Sequence, residues 1–359
     1  MAVATAVYRS NAESDVFTPS LTTELVEVWG YVMGYETFVR QKMGATAITG
    51  REEIQELWNG YGSCFRLFLS GSKVGSVVVK HISLEARGQH PRGWAGGRSH
   101  ERKLKSYQVE TAWYDEYEAQ CDNSCRIPHC YGVQKEGKET VIILEDLVVA
   151  GFPKVVRSVS WKQAQACVDW LACFHSTFMG QKPTNLWKTG TYWHLKTRPE
   201  EWAVLDDQAL KRAAPLIDEK LSNSGFQTFV HGDAKLANFC FSHDLLKVAA
   251  VDFQYVGGGC GMKDLAYFVG SCLDESQCQE REAEILDYYF SRLSSHLDAK
   301  ESRLSGKAIE DDWRPLYWFA WADFQRFVRG WSPGHWKINN YSNHIIAKVL
   351  ESCHGAVKG

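Results

Sequence analysis

The segment FVHGDAKLANFCFSHDLLKVAAVDFQ, residues 229–254, constrains this chain more than any bulk property. Asp233 and Asn238 bracket AKLA, and Asp252 closes the apolar run KVAAV. NFCFSHDLLKVAAVD reads as two adjacent strands that fold Asp252 back toward Asn238. An Asp and an Asn so placed offer oxygen ligands of the kind Mg2+ takes in octahedral geometry. A further carboxylate nearby can orient a hydroxyl nucleophile. Phosphoryl transfer needs mainly an oriented acceptor, a bridging metal and charge compensation on the phosphates. HGD alone also fits a polar turn. The Asn five residues after Asp233 and the Asp nineteen after it favour the chemical reading.

With 359 residues the chain can bury one or two cores, so two lobes are expected. A formal charge of −3 gives no case for nucleic-acid binding or broad attraction to anionic lipid. The start, MAVATAVYRSNAESDVFTPS, has no basic region followed by a sustained apolar core, and no apolar run reaches membrane-spanning length. A cytoplasmic protein without nucleic-acid or membrane partners is expected. Eleven cysteines cannot all pair, and their scatter favours reduced thiols. Cys121, Cys125 and Cys130, with His129 alongside, lack the paired spacing of a metal site.

Residues 1–20 read as an N-terminal arm and 21–34 as a short helix. The next stretch runs strand, NGYGS turn, strand, SGSK turn, strand, and reaches Lys80. Residues 85–106 are Gly-, Pro- and Lys/Arg-rich and read as a loop, with helical spacing from about Glu101. Tyr107, Glu110, Trp113, Tyr114 and Tyr117 then recur at three- and four-residue steps, which sets Glu110 beside an aromatic stripe. RIPHCYGVQKEGKETVIILEDL reads as two strands joined by KEGKE, and helices follow, the first over 160–178 with Ser160 as N-cap. The expected fold is α+β and bilobal. An N-terminal nucleotide-binding lobe over 21–147 carries an antiparallel sheet with a helix, and a larger, mainly helical catalytic and substrate-binding lobe spans 148–359.

In this order the motifs resemble those of the protein-kinase-like small-molecule kinases, the superfamily of aminoglycoside phosphotransferases and choline kinases, and most of all its ecdysteroid-kinase-like, CHK-kinase-like branch. VHGDAKLAN resembles the catalytic loop, VDFQ the metal-binding motif, IILEDL the inter-lobe segment and VETAWYDEY the helix bearing the lysine's glutamate partner. The resemblance covers roughly residues 55–275 and implies a protein-kinase-like fold with ATP and Mg2+ as cofactors. It implies that Asp233 orients, and can deprotonate, the acceptor hydroxyl, and that Asn238 and Asp252 hold the metal. Lys235 departs from the branch, which tends to a bulky residue there; as in protein kinases it would neutralise the transferred phosphate. Lys80 would bind the α/β phosphates with Glu110 as its partner. Gly60, Gly62 and Ser63 would cover the phosphates, although a third glycine is missing and a plain hairpin turn fits equally. Glu145 and Leu147 would pass the adenine pocket; Glu145 and Asp146 need no direct nucleotide role, and one of the two can cap the next segment. Asp264 is expected as a helix N-cap that supports the catalytic core, and His231 as a brace of the loop.

The reaction implied is transfer of the ATP γ-phosphate to a small-molecule alcohol, and a monomer is expected. Trp313, Trp318, Trp321, Trp331 and Trp336, with Tyr317, Phe324 and Gln325, can form an aromatic pocket for a sterol-like alcohol or a cage for a choline-like cation. An aminoglycoside-like acceptor is a further option. Packing explains most tryptophans equally well. TYWHLKTRPEEW sets His194 and Arg198 where they can meet an anion. A pseudokinase or nucleotide-binding regulator is the non-enzyme alternative. A protein kinase fits less well, because no A-P-E-like segment follows DFQ.

Overall fold

The computed structural model describes residues 33–57, 60–84 and 97–356. The arm over 1–20, nearly all of the helix expected over 21–34, Asn59 and the first part of the 85–106 loop lie outside the described residues. The chain divides into two compact units: Met1–Leu104 with Pro128–Val155, and Lys105–Ile127 with Val156–Gly359. Its class is the α+β one expected.

The first unit holds a five-stranded antiparallel sheet in the order β1-β2-β3-β5-β4. The strands are β1 Ala47–Glu56, β2 Gly62–Ser70, β3 Ser76–Ser83, β4 Cys130–Glu136 and β5 Glu139–Glu145. Helix α1, Met33–Met43, packs beside β1 and β4. Period-two alternation sends Phe65, Leu67, Val77, Val79, Val141 and Ile143 to one face, where Tyr35 and Val39 of α1 close the core. Each such side chain contributes about 1.5–3 kcal/mol when fully buried.

The same alternation sends Lys80 to the other face of β3, level with Cys64 of β2 and Ile142 of β5. Arg66 and Asp146 also serve this unit. Asp146 receives Arg66 Nε at 2.6 Å and the Ser76 hydroxyl at 2.6 Å, and its other oxygen accepts the Val148 N–H at 3.1 Å. It therefore pins the end of β5 to β2 and β3.

Helix α2, Gly97–Ala112, passes from the first unit into the second and continues as a π-turn over Trp113–Tyr117. In the second unit α3, Trp161–Thr177, begins where expected; the Ser160 N–H donates to Gln163 Oε1 at 2.8 Å. Further helices are α4 Pro199–Ala203, α5 Gln208–Ser222, α6 Met262–Cys272, α7 Glu275–Ala299, α8 Gly306–Trp313, α9 Leu316–Trp331 and α10 Asn340–Ala356. Helix α9 packs against α5, α6 and α10, and α3 packs along α7. Two short antiparallel pairs sit among them: β6 Thr228–Val230 with β9 Gly257–Gly259, and β7 Phe239–Phe241 with β8 Val248–Ala250.

Replacing Asp146 by Ala leaves the partly buried Arg66 guanidinium with Glu52 alone and removes the acceptor of the Ser76 hydroxyl. The expected loss is about 2 kcal/mol of stability, read as a lower denaturant midpoint; an unchanged midpoint would show that Asp146 does not anchor the sheet.

Candidate active site

Strand β6 delivers the chain into a turn that only glycine can make at position 232. Gly232 has φ +79°, and a Cβ there would lie 2.1 Å from the Tyr255 carbonyl oxygen. The turn is fastened by Asp264 in the first turn of α6. Its two oxygens accept the N–H groups of His231 at 2.5 Å and Gly232 at 2.9 Å, and His175 Nε2 of α3 lies 3.2 Å away. His175 is held on its other nitrogen by the Tyr289 hydroxyl at 2.7 Å. Asp264 therefore supports the core as expected, but by capping the loop; Gly261 is the N-cap of its own helix.

His231 is wholly buried and ties two segments together. Its Nε2 lies 3.1 Å from the Val251 carbonyl oxygen and its Nδ1 accepts the Asp233 N–H at 3.2 Å. These partners define a neutral imidazole protonated on Nε2. Burial pushes its pKa below the ordinary value against the opposing pull of Asp264, Asp233 and Asp252.

Asp233 emerges from this turn with three donors on its carboxylate. Tyr267 of α6 donates its hydroxyl to Oδ1 at 3.0 Å, Lys235 Nζ reaches Oδ2 at 2.7 Å, and Asn238 Nδ2 lies 3.1 Å from Oδ2. Burial works against the Lys235 ammonium, but Asp233 and Asp252 outweigh it and raise its pKa. An ionised carboxylate offers about four acceptor positions. Three are taken among the described residues, one of them on Oδ1 and two on Oδ2. Tyr267 was not singled out in the sequence, where it resembles one more core aromatic. The signal was its three-residue spacing from Asp264, which puts both on one helix face.

Asn238 immediately precedes β7, and Asp252 follows β8 by two residues. The Val251 N–H donates to the Asn238 carbonyl at 3.0 Å, so the pairing brings both polar residues to one end of the hairpin. Asp252 has φ +73°, a left-handed conformation that Asp tolerates better than most residues. Asn238 Oδ1 is buried and accepts no hydrogen bond from the described residues. An orphaned amide oxygen at the same hairpin end as a carboxylate is the hard-oxygen donor set that suits Mg2+.

Next to Asp233 stands an aromatic wall. Trp193, Tyr267, Phe324, Phe327 and Val328 form a buried cluster, with Tyr192 and Trp331 packed on it. Lys337 sits over it, its Nζ 5.1 Å from the Tyr267 and Phe324 ring centres and 5.5 Å from that of Trp336. The buried side chains of Gln325 and Ser342 both donate to the Lys337 carbonyl, which fixes this segment. Burial pushes the Lys337 ammonium down to about 8, against the pull of Cys272 and Asp233.

The tryptophans do not share one surface. Trp313 and Trp321 are core residues, Trp318 donates to Glu282, and Trp336 is 62% exposed. His194 and Arg198 do not form an anion site either: His194 pairs with Asp218 at 3.1 Å, and Arg198 bonds Glu201 and the Tyr192 carbonyl. In both cases residue type was read correctly as chemistry-bearing, but its local partners were invisible in one sequence.

Among the other expected residues, Glu110 belongs to the same unit as Asp233 and is 1% exposed. Gly60, Gly62, Ser63, Lys80, Glu145 and Leu147 belong to the first unit. Lys80 is 5% exposed, and β3 continues three residues past it, so it is not a solvated strand end. Gly60 lies in the connection from β1 to β2 and Gly62 is the first residue of β2, where a Cβ would meet the His81 carbonyl oxygen at 2.0 Å. Close strand packing thus requires this glycine whether or not a phosphate passes. Ser63 accepts from Arg51 at 3.3 Å, the Glu145 side chain accepts the His129 N–H at 3.2 Å, and the Leu147 carbonyl accepts the Phe152 N–H at 2.8 Å.

The ecdysteroid kinase-like family matches residues 100–198 and 177–301, together more than half of the chain. The chain belongs to that family. No curated protein matches it significantly. Among solved structures it is similar to a microcompartment-associated aminopropanol kinase, at 14% identity over 88% of this chain and 95% of the other, with a TM-score of 0.46. An aminoglycoside phosphotransferase from Streptomyces rimosus, solved with ADP and streptomycin, is 15% identical over 80% and 98% of the chains, at a TM-score of 0.43. A Plasmodium vivax ethanolamine kinase is 10% identical over 91% and 89%, at 0.44.

His231 gives a pH signature. Its folded pKa is depressed, so its stabilising contribution is full above the unfolded value of about 6.5 and is lost as pH falls through that range, where only the unfolded chain takes up the proton. Stability should decline from pH 7.5 to 5.5, and His231→Gln should remove part of that slope. An identical slope in the variant would mean that the imidazole is not held neutral.

Proposed function

We propose that this protein is an ATP-dependent phosphotransferase that moves the γ-phosphate to a hydroxyl of a small molecule. The observation that carries the reading is the Asp233 carboxylate, held by Tyr267, Lys235 and Asn238 with an acceptor position left on Oδ1. A substrate hydroxyl donating to that position is aimed for in-line attack, and Asp233 can take its proton as the bond to phosphorus forms. Lys235, 2.7 Å from the same carboxylate, offsets charge on the transferred group. Asn238 and Asp252 would hold Mg2+, which supplies charge neutralisation on the nucleotide phosphates. Lys80 keeps the phosphate-binding role, and Glu110 the acidic role, that the family implies. Gly60, Gly62, Ser63, Glu145 and Leu147 remain the proposed nucleotide contacts.

For the acceptor, we infer an uncharged alcohol with an apolar body, of the sterol-like kind. The aromatic wall supplies apolar contact. Its cation–π position is already taken by Lys337, which disfavours a choline-like or aminoglycoside-like cation by like-charge repulsion.

Nucleotide titration and acceptor screening test both statements. Asp233→Asn should retain ATP binding and lose about 10²–10⁴-fold in turnover, while Asp252→Asn should lose the Mg2+-dependent gain in ATP affinity. ADP release should be stimulated by a polyhydroxylated sterol and not by choline or kanamycin. ATP binding with no turnover on any alcohol would favour a regulator that has kept the fold. Stimulation by choline would overturn the acceptor class alone.

A further inference from the structure

Away from Asp233, a second group of reactive side chains converges in the second unit. Asp122 caps the short 3-10 turn Asn123–Cys125, its Oδ1 accepting the N–H of Ser124 at 2.7 Å and of Cys125 at 3.4 Å. Carboxylate and thiol are thereby fixed on one turn. Helix α3 brings Cys173 to the same spot. The ligand atoms of Asp122, Cys125 and Cys173 all lie within 4.8 Å of one another, and both cysteines are fully buried. Cys121, the residue before Asp122, is half-buried at the start of the same turn. Cys130 and His129 belong to the first unit.

Two thiols and a carboxylate thus converge at one spot. The chain's own cation stands at its edge: Lys300 Nζ is 3.9 Å from Cys173 Sγ and 3.9 Å from Asp122 Oδ2. Zinc–sulfur bonds of about 2.3 Å in a tetrahedron put neighbouring ligand atoms about 3.8 Å apart. The ligand atoms of Asp122, Cys125 and Cys173, at most 4.8 Å apart, come near that spacing.

We propose that Cys121, Cys125 and Cys173, with the Asp122 carboxylate as fourth ligand, form a structural zinc(II) site that ties the 121–125 turn to α3. Four protein ligands leave no open position, so the ion is structural. Zinc entry displaces the protons of Cys121, Cys125 and Cys173 to solvent, about three per ion, and Lys300 turns outward with its charge kept. Cys173 lies two residues before His175, the partner of Asp264, so the ion would stiffen the helix that holds the catalytic loop.

The test uses the intact chain, stripped with a chelator and titrated with zinc(II) and separately cobalt(II). The expected results are one site per chain, release of about three protons and a thiolate-to-cobalt charge-transfer band. Cys125→Ser and Cys173→Ser should lose the band while Cys130→Ser keeps it. Absence of the band in the intact chain overturns the proposal, and so does a band that survives in C125S or C173S. Because the first result needs no variant, a variant that fails to fold leaves the proposal decided. Recovery of a Cys125–Cys173 disulfide from freshly purified, unreduced protein also overturns it, since it would assign the cluster to redox chemistry.

Discussion

A carboxylate with no access to solvent carries the geometry of the candidate site. Burying an ion costs several kcal/mol unless fixed partners replace its water. For Asp264 those partners are two loop amides and His175, so the loop at 231–232 has one place to be. One turn further along the same helix, Tyr267 grips the side chain that this loop presents. Backbone and side chain of the HGD turn are thus aligned by two residues of α6, and that helix is itself packed by α9.

Electrostatics near the loop is a balance of near neighbours. Three acidic groups, Asp233, Asp252 and Asp264, act on His231, yet burial keeps its imidazole neutral. A neutral ring can donate on one side and accept on the other, which is how it links the Asp233 backbone to the strand end before Asp252. An imidazolium has only donors and could not do both. The two lysines close by have different fates. Lys235 is held by carboxylates, whereas Lys337 rests on ring faces and is correspondingly easier to discharge.

What was legible in the sequence follows from periodicity and short-range spacing. The strand hairpins, the helix after Ser160 and the β7–β8 pairing come from patterns a few residues long. The polar set of Asp233, Asn238 and Asp252 lies within one such stretch. Tyr267 was hidden because an aromatic residue in an apolar helix looks like packing. Asp264 lies close enough to a helix start to resemble its cap, and only the folded chain shows that it caps something else. Cys173 lies far along the chain from Cys121 and Cys125, so spacing rules for metal sites had nothing to read. The tryptophans of the last helices misled for a related reason: a helix distributes residues around its axis, and most of that circumference faces other helices.

Lys337 and its carbonyl contacts belong to the segment between α9 and α10, remote in sequence from the loop that carries Asp233. The Tyr267 ring is common to both, its hydroxyl on the carboxylate and its face under the ammonium. Under the proposed function, substitutions at 336–338 would redraw which molecules fit while leaving the backbone of the Asp233 loop in place. In a family of this architecture, diversification would concentrate in that connector, and kinship of the reaction would outlast kinship of the substrate.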